Sequence, residues 1–260
     1  MWALRVRKSF FIRIFYLCSF FGGFFWGVEE HCQLLRLQHL FVEGSSPHLG
    51  ITDIFLKKTN IRFFATAFFA FMEVTKDVER QYPVDVSYRY IPWRSYSVRV
   101  EPLTVFVQIY WNDVLWNVSR SGRAWEFSQS DGVSPHHSVS RVIWGEGLNP
   151  PIALSRSSSD EKQRVYSVLA PLDTIEKYIQ ALSKGSFFRN IPAFTMQKKG
   201  TRIQVLLDFE ETIIVLDGEK PELWERIDQA VQALLKELGS SKKVRLDAIY
   251  PDKIIVQKLY

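Results

Sequence analysis

Cysteine is nearly absent from this sequence, which limits how the folded chain can be held together. Its 260 residues include only Cys18 and Cys32. A continuous helix would hold these two residues roughly 20 Å apart, whereas the Cα atoms of a disulfide lie about 6 Å apart. The sequence therefore excludes a disulfide framework, and the protein must fold by its hydrophobic core.

The short motifs of common catalytic and nucleotide-binding sites are missing as well. The chain contains no Gly-x-Ser-x-Gly nucleophile motif, no phosphate-binding loop and no Gly-x-Gly-x-x-Gly. After residue 13 it also lacks a dense block of lysine and arginine, although its formal net charge is +5. We therefore predict a protein that is not an enzyme, has no cofactor or metal, and does not bind nucleic acid.

Two groups of polar residues are the remaining candidates for chemistry. His136 and His137 are adjacent in a serine-rich loop, with no cysteine or clustered acid to complete a metal site. Asp208, Glu210 and Glu211 fall at a predicted hairpin turn, where a solvated charge cluster is favoured over a carboxylate site. Neither group is predicted to be catalytic.

Long apolar runs are rare, and residues 10–28 form the only one that is long enough to span a bilayer. As a helix at 1.5 Å per residue it would measure roughly 28 Å, near the hydrocarbon thickness of a bilayer. Arg5, Arg7 and Lys8 precede it, which favours a cytoplasmic N-terminus. We predict a cytoplasmic tail at residues 1–9, a transmembrane helix at residues 10–28 that contacts the lipid bilayer, and an extracytoplasmic remainder.

Two other interpretations of this run are less favoured. A cleaved signal peptide needs small residues before the cleavage site, but Phe24, Phe25 and Trp26 are bulky. A buried helix rarely presents apolar residues on every face, as this run does. The run is therefore interpreted as an uncleaved anchor in the cell membrane.

The chain beyond the run divides into two predicted domains and indicates an α+β fold. Residues 33–102 suggest a strand, two helices at residues 49–58 and 65–81, and then two alternating strands. Residues 103–260 contain several short strands, two amphipathic helices and a final pair of strands. We predict a β-α-α-β-β domain at 33–102, then a mixed α/β, β-rich domain at 103–260 with a C-terminal antiparallel sheet.

The last two strands suggest an interaction site. Residues 244–250 and 253–259 alternate and are joined by a Pro-Asp turn, which predicts a hairpin. A strand at the end of a sheet leaves backbone donors and acceptors unpaired, so a partner strand can add to it. Lys253 and Lys258 allow a second interpretation, in which the lysines only protect the edge from aggregation. The residues alone leave these two interpretations open.

Several segments follow one another in an order that is typical of a known family. They are VERQYPVDVSYRYIPWRSYSVRVEPLTVFVQ, the hairpin VLWNVSRSGRAWEF, and the C-terminal pair TIIVLDGEKPELWERIDQAVQALLKEL and VRLDAIYPDKIIV. With the basic tail and the apolar run, the chain resembles the bacterial cell division family FtsQ, called DivIB in Gram-positive organisms. The resemblance implies that residues 33–102 are a POTRA domain and that the protein is a single-pass membrane protein of the division septum.

The same resemblance implies a function and a binding site. It implies a non-enzymatic scaffold that links membrane-bound division proteins and helps to regulate septal peptidoglycan synthesis. The implied partners are FtsB-like and FtsL-like bitopic proteins, bound at the C-terminal strands, and other division components. Tyr250 matches the tyrosine of the family's Asp-x-x-Tyr motif, and Ile254, Val256 and Lys258 are assigned to the partner site by their position on the final strand.

Two alternative functions belong to different classes. A POTRA-type envelope protein of a secretion or assembly system would need repeated POTRA units, which the sequence lacks. A membrane-anchored enzyme acting on peptidoglycan would need an acid pair or a nucleophile in a cleft. Asp208, Glu210 and Glu211 are the residues that would have to supply it.

Overall fold

The structure, a computed structural model, describes eight stretches of the chain: residues 15–23, 39–44, 64–91, 95–127, 140–154, 164–238, 243–250 and 252–259. The chain divides into two compact units, each described by itself. The first comprises Met1–Glu79 with Val84–Pro102, and the second comprises Arg80–Pro83 with Leu103–Tyr260.

The first unit contains a three-stranded sheet. Its strands are β1 (His39–Gly44), β2 (Val84–Ile91) and β3 (Ser95–Pro102). The sheet order is β1-β3-β2, with β1 parallel to β3 and β2 antiparallel to it. Helix α1 (Phe64–Gln81) buries Phe71, Val74 and Val78, whose spacing of three and four residues places them on one helical face.

The predicted POTRA-like β-α-α-β-β layout of residues 33–102 is wrong. The described elements there run β-α-β-β, and residues 49–58, where the sequence predicts another helix, lie outside the described residues. That prediction depended on a ten-residue pattern, and helices shorter than about 12 residues are marginal without tertiary support. The fold is mixed α+β, and its main feature is an 11-stranded sheet in the second unit.

The predicted membrane-spanning helix at residues 10–28 is also wrong. Among the residues that the structure describes, no helix has both the length and the apolar composition needed to cross a membrane. Within the apolar run, residues 15–23 are helical. Helix α1 has 18 residues but includes charged ones such as Glu73 and Lys76, which a bilayer core disfavours.

The second unit contains the strands of the large sheet. In chain order they are β4 (Val107–Trp111), β5 (Val114–Val118), β6 (Arg123–Glu126), β7 (Arg141–Trp144), β8 (Ile152–Ala153), β9 (Val165–Val168), β10 (Ala193–Lys199), β11 (Arg202–Phe209), β12 (Thr212–Asp217), β13 (Val244–Ala248) and β14 (Ile255–Lys258). Across the sheet the order is β14-β13-β12-β11-β10-β7-β4-β5-β6-β9-β8. The final hairpin, β13 with β14, is antiparallel, which confirms that part of the prediction.

The sheet as a whole is mixed, so the prediction of an antiparallel C-terminal sheet is wrong. Strand β12 runs parallel to β13, and β7 runs parallel to both β4 and β10. Two helices lie in this unit, α2 (Leu172–Lys184) and α3 (Trp224–Leu238). Parallel neighbours need a long crossover connection, and α3 supplies it between β12 and β13.

One face of the sheet and the two helices share a single hydrophobic core. Strand residues at every second position are fully buried, as at Val205 and Leu207 on β11 and at Ile214 and Leu216 on β12. The helical residues that enter this core are Ile175, Tyr178, Leu182, Trp224 and Val231. The helices therefore hold the strands β11 to β13 in a rigid layer.

A buried carboxylate joins the two helices. Asp228 on α3 is 1% exposed, and it accepts hydrogen bonds from the backbone N–H groups of Ser186, Phe187 and Phe188, just after α2. The side-chain amide of Gln232 donates a further bond to it at 3.0 Å. Because these donors surround the carboxylate, its burial is compensated and the segment after α2 is fixed to α3.

A buried tyrosine fixes the turn after β12. The Tyr178 hydroxyl donates to the Gly218 carbonyl at 2.8 Å, and the Trp224 indole N–H donates to the Asp217 carbonyl at 3.0 Å. A Cβ atom on Gly218 would lie 2.7 Å from the Tyr178 hydroxyl, so glycine is needed there. Burial, followed by the negative charges of Asp217 and Glu219, raises the pKa of Tyr178 to about 12.

Replacing the buried carboxylate tests its structural role. Asp228→Ala leaves the backbone N–H groups of Ser186, Phe187 and Phe188 without their acceptor. The bond from Phe188 is buried, and an unsatisfied buried donor costs about 1–3 kcal/mol. We expect the free energy of unfolding, measured by urea denaturation, to fall by roughly 2 kcal/mol or more. Gln229→Ala, at an exposed position on the same helix, should change it by less than about 0.5 kcal/mol. Equal effects of the two substitutions would contradict this assignment.

The raised pKa of Tyr178 predicts a loss of stability in alkali. A group with a higher pKa in the folded state stabilises fully below its unfolded pKa and loses that contribution as the pH rises through the folded value. For Tyr178 this window runs from pH 10 to about 12. We expect the unfolding free energy to fall more steeply there in the wild type than in Tyr178→Phe, as measured by denaturant titrations at each pH. Parallel curves would show that Tyr178 ionises as easily in the folded chain as in the unfolded one.

Candidate interaction edge

The last two strands of the chain lie at one end of the large sheet. Strand β13 pairs with β12 on one side and β14 on the other, whereas β14 has a single neighbour among the described strands. The register places Lys258 opposite Val244, and Val256 opposite Leu246. Strand β14 with its flanking residues, 252–259, is called the β14 edge below.

The hydrogen bonding between these strands shows which way the backbone of β14 faces. The Leu259 N–H donates to the Lys243 carbonyl at 2.9 Å, and this pair continues the register of the hairpin. In an antiparallel pair, hydrogen-bonded positions alternate with positions whose backbone groups face away. The backbone of Ile255 therefore faces β13, whereas the N–H and C=O groups of Val256 and Lys258 face outward.

Apolar side chains are exposed on both faces of the β14 edge. Val256 is 40% exposed, although Leu246, which lies opposite it on the core face, is fully buried. Ile255 and Leu259 lie on the other face and are 37% and 38% exposed. The hydrophobic core thus ends between β13 and β14, and a strand added to β14 would cover apolar surface on both faces.

The opposite end of the sheet offers less to an added strand. Strand β8 consists of Ile152 and Ala153 and follows Pro150 and Pro151. Proline has no N–H to offer a further strand, and the Pro151 carbonyl already accepts a bond from the Leu169 N–H at 2.7 Å. Of the two ends of this sheet as described, the β14 edge is therefore the better template for strand addition.

An aromatic residue stands beside the β14 edge. Tyr250 lies between β13 and β14 and is 44% exposed. The Lys253 ammonium is 5.0 Å from the centre of its ring, a distance at which cation and ring attract each other. On the preceding strand, Asp247 accepts a hydrogen bond from the Ile249 N–H at 3.3 Å. These contacts position an exposed ring at the start of the edge.

All four residues predicted to bind a partner lie in this one hairpin. Tyr250 is in the turn, Ile254 packs partly against the core, and Val256 and Lys258 carry the outward backbone groups. Their role in binding stays a prediction. Sequence reasoning misses the two exposed apolar residues on the opposite face, although the run IIVQKLY places apolar residues at neighbouring positions, which fall on opposite faces of a strand.

Of the acidic residues considered as an alternative site, Glu210 and Glu211 form the predicted turn between β11 and β12, and Asp208 lies near the end of β11. Asp208, Glu210 and Glu211 are all exposed, and Glu210 has a φ of 53°. Within the described ranges, no group of three or more His, Cys, Asp or Glu residues is arranged to hold a metal ion. His136 and His137 lie outside the described residues.

Comparison with known proteins provides no relative from which a function can be transferred. No protein-family model matches the chain, and no curated protein matches it. A function must therefore be argued from the β14 edge and from the resemblance of individual segments.

A pair of proline substitutions tests the backbone direction in β14. Val256→Pro removes an outward N–H and should lower the melting temperature by only a few degrees, at about 2–4 °C per kcal/mol for a domain of this size. Gln257→Pro removes an N–H directed at β13 and should lower it at least about twice as far, because a ladder bond is lost. Thermal unfolding followed by circular dichroism makes the comparison. Equal losses would mean that the outward and inward positions are assigned wrongly.

Proposed function

We propose that this chain is a non-enzymatic interaction protein of the bacterial division machinery. It binds a partner by accepting a strand from that partner at the β14 edge. The observation that carries the proposal is the outward row of backbone groups at Val256 and Lys258, next to exposed apolar side chains. Strand addition gives main-chain hydrogen bonds for affinity and side-chain contacts for specificity.

The energetics support strand addition at this edge. A backbone hydrogen bond contributes about 0.5–1.5 kcal/mol net, so a short strand gains only a few kcal/mol from pairing alone. An added strand would also cover Val256 on one face and Ile255 and Leu259 on the other. Each Å² of apolar surface that is removed from water contributes about 25 cal/mol to the binding free energy. The exposed ring of Tyr250 offers a further contact at the start of the strand.

The identity of the partner is proposed from the resemblance to the FtsQ family. The segment VRLDAIYPDKIIV carries it, and in that family the matching strands dock FtsB-like proteins and, through them, FtsL-like proteins. The membrane-spanning helix and the POTRA layout no longer support the resemblance. The proposal therefore depends on the C-terminal hairpin and its neighbouring helix, and it places the protein's action at the division septum, in the regulation of septal peptidoglycan synthesis.

A catalytic function is not proposed. Asp208, Glu210 and Glu211 are exposed, at the end of β11 and in the turn that follows it. Burial or a close charge partner is what usually fits a carboxylate for acid–base work.

Capture of an FtsB-like protein from the same organism tests the proposed function. Val256→Pro should reduce capture at least about tenfold, since it removes an outward donor and hinders strand pairing. Deleting residues 252–260 should abolish capture, while circular dichroism stays near that of the wild type. Tyr250→Ala should weaken capture without affecting the fold.

The matched control lies one residue away. Gln257→Ala changes a side chain on the same strand but leaves every backbone group in place, so capture should stay within about threefold of the wild type. If folded Val256→Pro captured the partner as well as the wild type, the partner would not be adding a strand to β14.

A further inference from the structure

An open pocket of about 340 Å³ lies in the second unit, where the segment that follows α2 meets the C-terminal half of α3. One wall comes from the 3-10 turn Phe188–Asn190 and the residues just before it, and the other comes from one face of α3. The residues that line the pocket are Ser186, Phe187, Asn190, Gln232, Leu235 and Lys236. None of them belongs to the β14 edge, so the pocket is a second candidate site.

The two amide side chains in this pocket have their nitrogen atoms engaged. The Gln232 Nε2 donates to the Asp228 carboxylate at 3.0 Å, and the Asn190 Nδ2 donates to the Ser186 carbonyl at 3.2 Å. An ionised carboxylate and a carbonyl can only accept, so the nitrogen of each amide must face them. Within the described part of the chain, no group donates to Gln232 Oε1 or Asn190 Oδ1. Each amide therefore retains its oxygen as an acceptor for a ligand.

The pocket also offers a donor and apolar surface. Lys236 is exposed, and no described carboxylate lies within ion-pair distance of its ammonium group. Phe187 and Leu235 are only partly buried against the hydrophobic core, and both line the pocket. Gln232, Leu235 and Lys236 are spaced by three and four residues, so they share one face of α3. Two acceptors, a donor and two apolar side chains thus occur together.

We propose that this pocket binds an uncharged peptide segment with one apolar side chain. The charges beside it cancel, because the Lys236 ammonium is balanced by the buried Asp228 carboxylate that Gln232 contacts. Peptide N–H groups of the ligand donate to the two amide oxygens. A peptide carbonyl accepts from Lys236, and the apolar side chain packs against Phe187 and Leu235.

Other classes of ligand match the pocket less well. A carboxylate or a phosphate would bring negative oxygens close to the two amide oxygens and to Asp228, which repel it. A sugar carries hydroxyl groups over most of its surface, and burying them against Phe187 and Leu235 would cost hydrogen bonds to water. Ligand pockets usually measure about 300–1,000 Å³, so this one admits only a short segment.

An NMR titration of the full chain with the peptide acetyl-Ala-Leu-Ala-amide tests the proposal. The backbone amide signals of Ser186, Phe187 and Asn190 should shift with one common dissociation constant, on the order of 1 mM for so short a probe. Replacing the leucine of the probe with aspartate should weaken binding at least about tenfold, because the apolar contact is lost and a charge is added. N-acetylglucosamine should cause no saturable shift at the same concentrations.

Neighbouring residues of one turn provide a matched pair of substitutions. Asn190→Ala removes an acceptor from the pocket and should raise the dissociation constant of the leucine peptide about fivefold, as expected for one lost hydrogen bond. Arg189→Ala changes the preceding residue, which does not line the pocket, and should leave the constant within about twofold. Both positions are exposed, so the melting temperatures should stay near that of the wild type.

Three results would overturn this assignment. They are the absence of saturable shifts with the leucine peptide up to about 20 mM, equal effects of the two substitutions, and tighter binding of the aspartate peptide or of the sugar. The inference goes beyond the proposed function, since it concerns a different surface and a different ligand. Asn190→Ala leaves the β14 edge intact, so capture of an FtsB-like partner should be unchanged whether or not the pocket binds a peptide.

Discussion

Backbone pairing is the constraint on which the rest of this structure depends, because every strand carries N–H and C=O groups along both of its sides. In the large sheet, each interior strand meets this need with a neighbour on either side. The two end strands meet it differently. Strand β8 is two residues long and follows two prolines, whereas β14 directs the backbone of Val256 and Lys258 outward. The proposed strand addition follows from this difference between the two ends.

The core fixes β13, the strand with which β14 pairs. Strand β13 contributes the fully buried Leu246 to the core that the two helices cover, and the helices are fixed by the Asp228 carboxylate and the Tyr178 hydroxyl. An edge strand that pairs with a strand held in this way loses less conformational freedom on binding, so more of the contact energy of the proposed strand addition would appear as affinity.

Local patterns predict the helices and hairpins of the second unit well. The two amphipathic helices predicted within residues 103–260 are α2 and α3, and a short 3-10 turn at Pro221–Leu223 precedes α3. Their apolar spacing and their proline and glycine boundaries are encoded within a few residues. The strand order is not encoded locally. Strand β7 lies between β4 and β10, and these three strands are far apart in the sequence. The apolar run at residues 10–28 does not by itself establish a membrane span, and the ten-residue pattern at residues 49–58 does not by itself establish a POTRA layout.

For the candidate site as well, local sequence patterns predict some features, and long-range contacts determine the others. The sequence alone places Tyr250, Ile254, Val256 and Lys258 in one hairpin, because the two strands are contiguous and are joined by a Pro-Asp turn. It does not show that β14 lies at the end of the sheet, since that depends on β13 pairing with β12 across the crossover helix. Nor does it show which backbone groups face outward, which the bond from Leu259 to the Lys243 carbonyl decides.

Amide hydrogen exchange along β14 is the most direct test of the central claim. In dilute protein alone, the amides of Val256 and Lys258 should exchange rapidly while those of Ile255 and Gln257 are protected by β13. Binding of an FtsB-like partner should slow exchange at Val256 and Lys258 at least about tenfold and leave Ile255 and Gln257 nearly unchanged. A complex that forms without slowing exchange at Val256 and Lys258 would contradict strand addition at this edge.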